Sequence, residues 1–182
     1  MAGELPQRIL CLGVTGSGKS TLARDIAGIL DLPVHYVDEE FGWLPGWVER
    51  DVGEQKRLAL AAAVADRWVF DSAYRHYRHE LIQRAELVIC LDYPRMVSLG
   101  RLLGRTVWRI VRREPMCNDN VETWQRALGS DSILRWHFKS FPAKRRQMRE
   151  LEARLGPDRV IRLESPKDTR AWLASLEASR RT

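Results

Sequence analysis

Residues 13–20 read Gly-Val-Thr-Gly-Ser-Gly-Lys-Ser and match G-x-x-x-x-G-K-[ST] at every fixed position. The glycines permit backbone conformations that a Cβ would forbid, so successive N–H groups can turn toward one centre. The motif follows an apolar run, Arg8 to Leu12. It opens a stretch of helical spacing, Lys19 to Leu30, in which Leu22, Ile26, Ile29 and Leu30 share a face. A glycine turn between a buried strand and a helix unites free amides with the positive end of the helix dipole, which makes an oxyanion site. Gly13, Thr15, Gly16, Ser17, Gly18, Lys19, Ser20 and Thr21 are the expected nucleotide-binding residues. Lys19 suits bridging of the outer phosphates, and the Ser20 hydroxyl suits Mg²⁺. The pattern predicts ATP or GTP binding.

Beyond this loop, apolar runs alternate with helical stretches. Val34 to Val37, Trp68 to Phe70, Leu87 to Leu91 and Val160 to Leu163 read as further strands. Between them lie an alanine-rich helix over Asp51–Ala65 and a basic helix from Pro94 to about Arg113. Helices from about Val121 to Leu155 are expected to break near Gly129 and Pro142, and Pro166 opens the last helix. Phe41–Trp47 and Pro115–Asn120 read as loops. Strands this apolar, alternating with helices, predict a parallel sheet covered on both faces. The expected fold is α/β: a P-loop NTPase three-layer sandwich with a five-stranded parallel sheet, helices on both faces and a helical lid. Residues 1–182 are read as a single domain, with the lid arm at about 101–140.

With 182 residues, 45% of them hydrophobic, the chain can build a core without a metal or disulfide staple. No run approaches the ~18 apolar residues of a membrane span, and the acidic Met1–Pro6 segment does not resemble an export signal. Cys11, Cys90 and Cys117 are an odd count, read as reduced thiols of a cytoplasmic protein. The four histidines lack metal-ligand spacing.

Ligands of open α/β sheets lie beyond the carboxyl ends of the strands, where three aspartates stand. Asp71 is expected to reach the water shell of the metal, so Ser20 and Asp71 are the candidate magnesium residues. Asp38 opens into the aromatic segment and is the candidate to orient an acceptor hydroxyl and take its proton. Asp92, closely followed by Pro94, reads as a turn cap. Trp43 and Trp47 either wall an acceptor pocket or pin the loop down.

The charge is uneven. Thirty basic residues face 24 acidic ones, but from Arg95 to Arg149 the balance is 13 to 4. Arg101, Arg105, Arg109 and Arg112 recur every three or four residues, opposite an apolar stripe of Leu99, Leu102, Leu103, Thr106, Val107, Ile110 and Val111. Like charges along one face repel unless an anion offsets them, so the stripe suits a clamp on a transferring phosphoryl group, with Pro115–Asn120 as its hinge. The same segment also suits a nucleic-acid backbone, and composition does not choose between the two. Cys117 is the only cysteine here, which excludes a lid built on four-ligand zinc.

Asp71-Ser72-Ala73-Tyr74-Arg75 stands where adenylate-kinase-like enzymes carry Asp-Gly-Phe-Pro-Arg, and Arg101-Leu102-Leu103-Gly104-Arg105 looks like the Arg-x-x-Gly-Arg at the start of their lid. The chain resembles more closely a bacterial family of adenylate-kinase-related P-loop proteins labelled DNA topology modulation proteins. The shared pieces are G-x-x-G-S-G-K-S-T, L-P-V-H-Y-V-D, P-G-W, W-V-F-D-S-A-Y and L-D-Y-P-R, spread from about Arg8 to Leu163. That resemblance implies Asp71 near Mg²⁺, Arg75 on the acceptor side, and Arg101 with Arg105 on the nucleotide phosphates. Ser72 and Tyr74 depart from the adenylate-kinase pattern beside the acceptor. Trp43, Trp47, Arg50 and Arg57 stand in a short segment without a recognisable nucleoside-monophosphate domain.

The expected function is a kinase that moves the γ-phosphoryl group of ATP, with Mg²⁺, to a small acceptor such as a nucleotide or another hydroxyl metabolite. Its catalytic set is Lys19, Asp38, Asp71, Arg101 and Arg105; Asp38, Trp43, Trp47 and Arg75 hold the acceptor. The alternative is a nucleic-acid-binding ATPase or regulator that uses residues 95–149.

Overall fold

The computed structural model describes residues 5–129 and 132–181. Strand β1 (Arg8–Gly13) is buried from Ile9 to Leu12 and pairs in parallel on both sides, which makes it the centre of the sheet. Helix α1 (Lys19–Leu30) leads to β2 (Val34–His35), a π turn (Asp38–Gly42) and the antiparallel ribbon β3 (Trp43–Leu44) and β4 (Val48–Glu49). Then come α2 (Val52–Ala62), β5 (Trp68–Phe70), α3 (Arg78–Arg84), β6 (Leu87–Leu91) and α4 (Arg95–Arg112). A second ribbon, β7 (Pro115–Met116) and β8 (Asn120–Val121), precedes α5 (Trp124–Leu128), α6 (Ile133–Leu155), β9 (Val160–Leu163) and α7 (Pro166–Arg181).

Five of the strands form one parallel sheet in the order β2-β5-β1-β6-β9. Nearly every residue of its central strands is buried, and the pleat shares them between two layers. Leu10, Leu12, Phe70, Val88 and Cys90 pack under α2, α3 and α6 through Ala59, Leu81, Met148 and Leu151. Ile9, Cys11, Val69, Ile89 and Leu91 pack against Leu22 and Ile26 of α1 and Leu176 of α7. Each such aliphatic side chain contributes about 1.5–3 kcal/mol when fully buried. The expected three-layer α/β sandwich is the observed one.

The chain leaves β1 through α1 on one face toward β2, and leaves β5 through α3 on the other face toward β6. A crevice therefore opens at the carboxyl ends of β1 and β5, where the winding changes direction.

Several expectations are revised by local contacts. Strand β2 stops at His35 rather than Val37, because the Val37 N–H is taken by a carboxylate oxygen of Asp71 at 2.9 Å instead of a strand ladder. The segments read as loops contain paired ribbons. Helix α6 runs unbroken through Pro142. A proline inside a helix costs about 3 kcal/mol, but His137, Phe141, Met148 and Leu151 bury on both sides of it and hold the helix straight through.

Candidate active site

At the end of β1 the glycine turn is fixed from three sides. Gly16 (φ 81°) and Gly18 (φ 98°) occupy left-handed backbone. A Cβ at Gly16 would also lie 2.9 Å from Leu102 Cβ, because α4 rests directly on the loop. The loop carbonyls are engaged one by one. Val14 O accepts from Ser17 Oγ at 2.8 Å and Lys19 Nζ at 3.1 Å. Thr15 O accepts from His137 Nδ1 at 3.1 Å, which places the imidazole proton on Nδ1. Ser17 O accepts from Arg101 Nη1 at 3.0 Å. The first-turn amides of α1 have no intrahelical acceptor and are left for a ligand.

Lys19 is surrounded by charge. Burial pushes its ammonium below the usual lysine range, Asp71 and Asp38 oppose that shift, and Arg105 adds to it. Ser20 Oγ donates to Asp71 Oδ2 at 2.5 Å, and Asp71 Oδ1 accepts from Val37 N. Burial raises the Asp71 carboxyl, with the Ser20 and Val37 hydrogen bonds holding it down in part. Two hard oxygen donors side by side at a phosphate loop fit Mg²⁺, which takes one or two protein oxygens and completes its shell with water and phosphate. Among the described residues no cluster of three or more His, Cys, Asp or Glu forms a separate metal cage.

Across the crevice, Asp38 at the start of the π turn accepts from the Tyr74 hydroxyl at 2.7 Å. Burial and the adjacent Asp38 charge push the Tyr74 phenol far above its ordinary range, so it stays a donor. Gly42 makes this possible, since a Cβ there would lie 3.1 Å from the Tyr74 ring.

The arginines of α4 stay solvent-accessible along the crevice, Arg109 half-buried and Arg101 and Arg105 exposed. Arg101 touches the loop, Arg105 is close enough to shift Lys19, and Arg109 donates to Met116 Sδ at 3.1 Å. Arg112 departs from the row and stacks on Trp108 at 3.8 Å. Burial and Arg109 lower the Arg105 guanidinium, while Asp38 favours its charge. The apolar stripe does not face the core as a unit. Leu102 and Thr106 are buried, whereas Leu103, Val107 and Val111 are 43%, 44% and 71% exposed.

The acceptor residues proposed from sequence separate. Asp38 faces the crevice. Trp43 and Trp47 meet edge to face at 5.7 Å and are engaged by the second ribbon. Trp47, strained at φ 59°, donates its N–H to Asn120 Oδ1 at 2.6 Å and its indole Nε1–H to Val121 O at 3.2 Å, and Arg126 sits over its ring at 4.5 Å. Asn118 Nδ2 donates to Trp43 O at 2.5 Å and to Glu39 O at 2.9 Å, while Asn120 Nδ2 reaches Leu44 O at 3.0 Å. Arg75 is exposed. Asp92 is structural: wholly buried, it pairs with Arg145 (2.5 Å), Arg149 (3.1 Å) and Arg162 (3.1 Å). The row of basic residues over 95–149 is thereby divided between the crevice and this buried carboxylate.

Some residues here had no sequence signal. His137 carries no motif, and its contact with Thr15 depends on a fold separation of 122 residues. Lys144 and Arg78 look like ordinary helix-surface cations in sequence, yet both line a cavity beside Gly13 and Lys19.

No family model matches the chain, and no curated protein matches it. Solved structures do. A gluconokinase from Sinorhizobium meliloti aligns with a TM-score of 0.56 at 17% identity, covering 98% of this chain and 94% of that one. A shikimate kinase from Acinetobacter baumannii in complex with shikimate aligns at 0.56 and 16%, covering 93% and 90%. A deoxyadenosine kinase from M. mycoides aligns at 0.53 and 13%, covering 93% and 98%. The chain has the fold of the P-loop kinases. Among the described residues no helix is long and apolar enough to cross a membrane.

Proposed function

We propose that this protein is an ATP- and magnesium-dependent phosphotransferase that moves the γ-phosphoryl group to a hydroxyl of a small acceptor. The observation that carries the reading is convergence at the phosphate loop: Ser20 Oγ meets Asp71 Oδ2 at 2.5 Å, Arg101 bonds Ser17 O at 3.0 Å, and Asp38, held by Tyr74 at 2.7 Å, lies within electrostatic reach of Lys19. Lys19 and the α1 amides bind the outer phosphates. Ser20 and Asp71 would hold the magnesium ion, which neutralises phosphate charge when bound. Asp38, oriented by Tyr74, accepts the hydroxyl proton as the acceptor attacks. Arg101 and Arg105 bind the phosphate oxygens, and Arg105 offsets charge on the transferring group.

The names of the structural neighbours support the class. Gluconokinase, shikimate kinase and deoxyadenosine kinase all denote small-molecule kinases, with different acceptors. The motif pieces also resemble those of the DNA topology modulation proteins. We favour small-molecule transfer over nucleic-acid binding because Arg101 bonds the phosphate loop and Arg145 and Arg149 pair with Asp92, which leaves fewer cations for a polyanion outside.

Transfer from γ-labelled ATP into a metabolite extract, with the labelled product identified by mass, tests this. A labelled small molecule that disappears with Lys19→Ala is expected. No calorimetric heat with Mg-ATP or Mg-GTP would refute it.

A further inference from the structure

A cavity of about 290 Å³ lies between α3 and α6, beside the phosphate loop. Its polar wall holds Lys19, Arg78, Lys144 and Gln147, and its floor is Leu12, Ile82, Met148 and Leu151. The cations here have neutral partners. Arg78 donates to Gln147 Oε1 at 2.9 Å and twice to the Ala73 carbonyl, at 3.2 and 3.4 Å. Lys19 donates to Val14 O. Among the described residues, no ion pair joins a carboxylate to Lys19, Arg78 or Lys144, and no hydrogen bond joins Lys144 to another side chain. Glu150 reaches the cavity wall, but it is exposed and paired with Arg146 at 3.8 Å.

At Asp92 the chain pairs inward cations directly, one buried carboxylate taking three arginines. The carboxylate on the cavity wall, Glu150, is exposed and paired with Arg146, so Lys19, Arg78 and Lys144 have no such partner among the described residues. Burial lowers the titration of Lys19, Arg78 and Lys144, so their charge is costly to hold without a counter-anion. Lys19 is committed to the donor phosphates. Arg78 and Lys144 remain inside, with the exposed Arg154 at the rim, on two helices that face each other across an apolar floor the size of a small carbon skeleton.

We infer that Arg78 and Lys144 bind an oxyanion of the acceptor, so that the substrate class is an acidic hydroxyl compound bearing a carboxylate or phosphate rather than a neutral alcohol. This rests on the phosphotransferase reading. The apolar floor takes the carbon chain, the anion fixes its far end, and the hydroxyl is left to point toward Asp38 and the phosphate loop.

The test fills the phosphate loop first. With Mg²⁺ and the non-hydrolysable analogue AMP-PNP at saturation, inorganic phosphate or glycerate should bind by titration calorimetry, and glycerol should give no heat. Tighter phosphate indicates a phosphorylated acceptor, and tighter glycerate a hydroxy acid. Lys144→Met should weaken anion binding at least tenfold, and Lys144→Arg should stay within threefold of the native protein. Absence of anion binding, or binding undiminished in Lys144→Met that retains native circular dichroism, overturns the inference alone. Failure of AMP-PNP itself to bind overturns the phosphotransferase reading and this inference with it.

Discussion

The Ser20 hydroxyl and the Asp71 carboxylate meet at 2.5 Å, and the second oxygen of Asp71 is held by the Val37 amide. One side chain thus fixes the end of β2 and faces the metal position. Asp71→Asn keeps the shape but removes the charge that attracts Mg²⁺. We expect kcat to fall by ~100-fold or more, and the Mg²⁺ concentration for half-maximal rate to rise. Magnesium titrations of both proteins check this, and an unchanged Mg²⁺ dependence would contradict it.

The Arg105 guanidinium has no hydrogen bond to another described residue, whereas that of Arg101 is bonded to Ser17 O. A group held in reserve matters most when charge develops. Arg105→Ala should lower kcat by ~10²–10³-fold while ATP affinity changes little. Arg101→Ala, which loosens the loop itself, should weaken ATP binding as well. Equal effects on binding and turnover for Arg105 would argue against its role.

Asp38→Asn should lower kcat by ~10²–10⁴-fold, as loss of a general base does. Tyr74→Phe removes only the hydroxyl that orients Asp38 and should cost less, with acceptor KM and kcat both affected. Steady-state kinetics on the identified acceptor decides the order. A larger loss for Tyr74→Phe would move the proton-accepting role away from Asp38.

Lys144 titrates at about 7 instead of its ordinary 10.5, because it is buried and because Lys19 and Arg78 oppose its charge, with Asp38 favouring it. Glu150 and Arg154 from its own helix complete the surroundings. Between these two pH values the unfolded chain binds more protons here than the folded one. Stability therefore rises with pH across the window, and the contribution is lost as pH falls through 7. Lys144→Met removes it. The urea midpoint of the native protein minus that of the variant should grow from about pH 7 to about pH 9, and a flat difference would contradict the burial argument.

Asp92→Ala leaves Arg145, Arg149 and Arg162 without their shared carboxylate. Breaking a buried ion pair costs about 3–5 kcal/mol, so a large fall in the urea midpoint is expected. Any loss of activity should follow the loss of folded protein.

The donor side of this site is the part that sequence makes legible. The Gly13–Ser20 spacing has one physical use, and Asp71 follows from a strand that ends where ligands of parallel sheets lie, while Asp38 stands past the end of β2 in the π turn. The acceptor side was harder. Trp43 and Trp47 read either as pocket walls or as pins for their loop, and Asn118 and Asn120 engage them from more than 70 residues away. Lys144 looks like a solvated cation because helical spacing does not reveal which neighbouring helix faces it. Pro142 reads as a helix break because local cost is visible in sequence, whereas the anchoring of Phe141 and Met148 is not. Helical spacing shows the apolar stripe of α4 but not that only Leu102 and Thr106 of it are buried while Leu103, Val107 and Val111 are exposed.

The ribbon beyond α4 is fastened to the ribbon beyond β2 through the amides of Asn118 and Asn120. Swinging either one outward drags the other along. The ties between the two ribbons are uncharged amides, whose grip ionic strength leaves largely untouched.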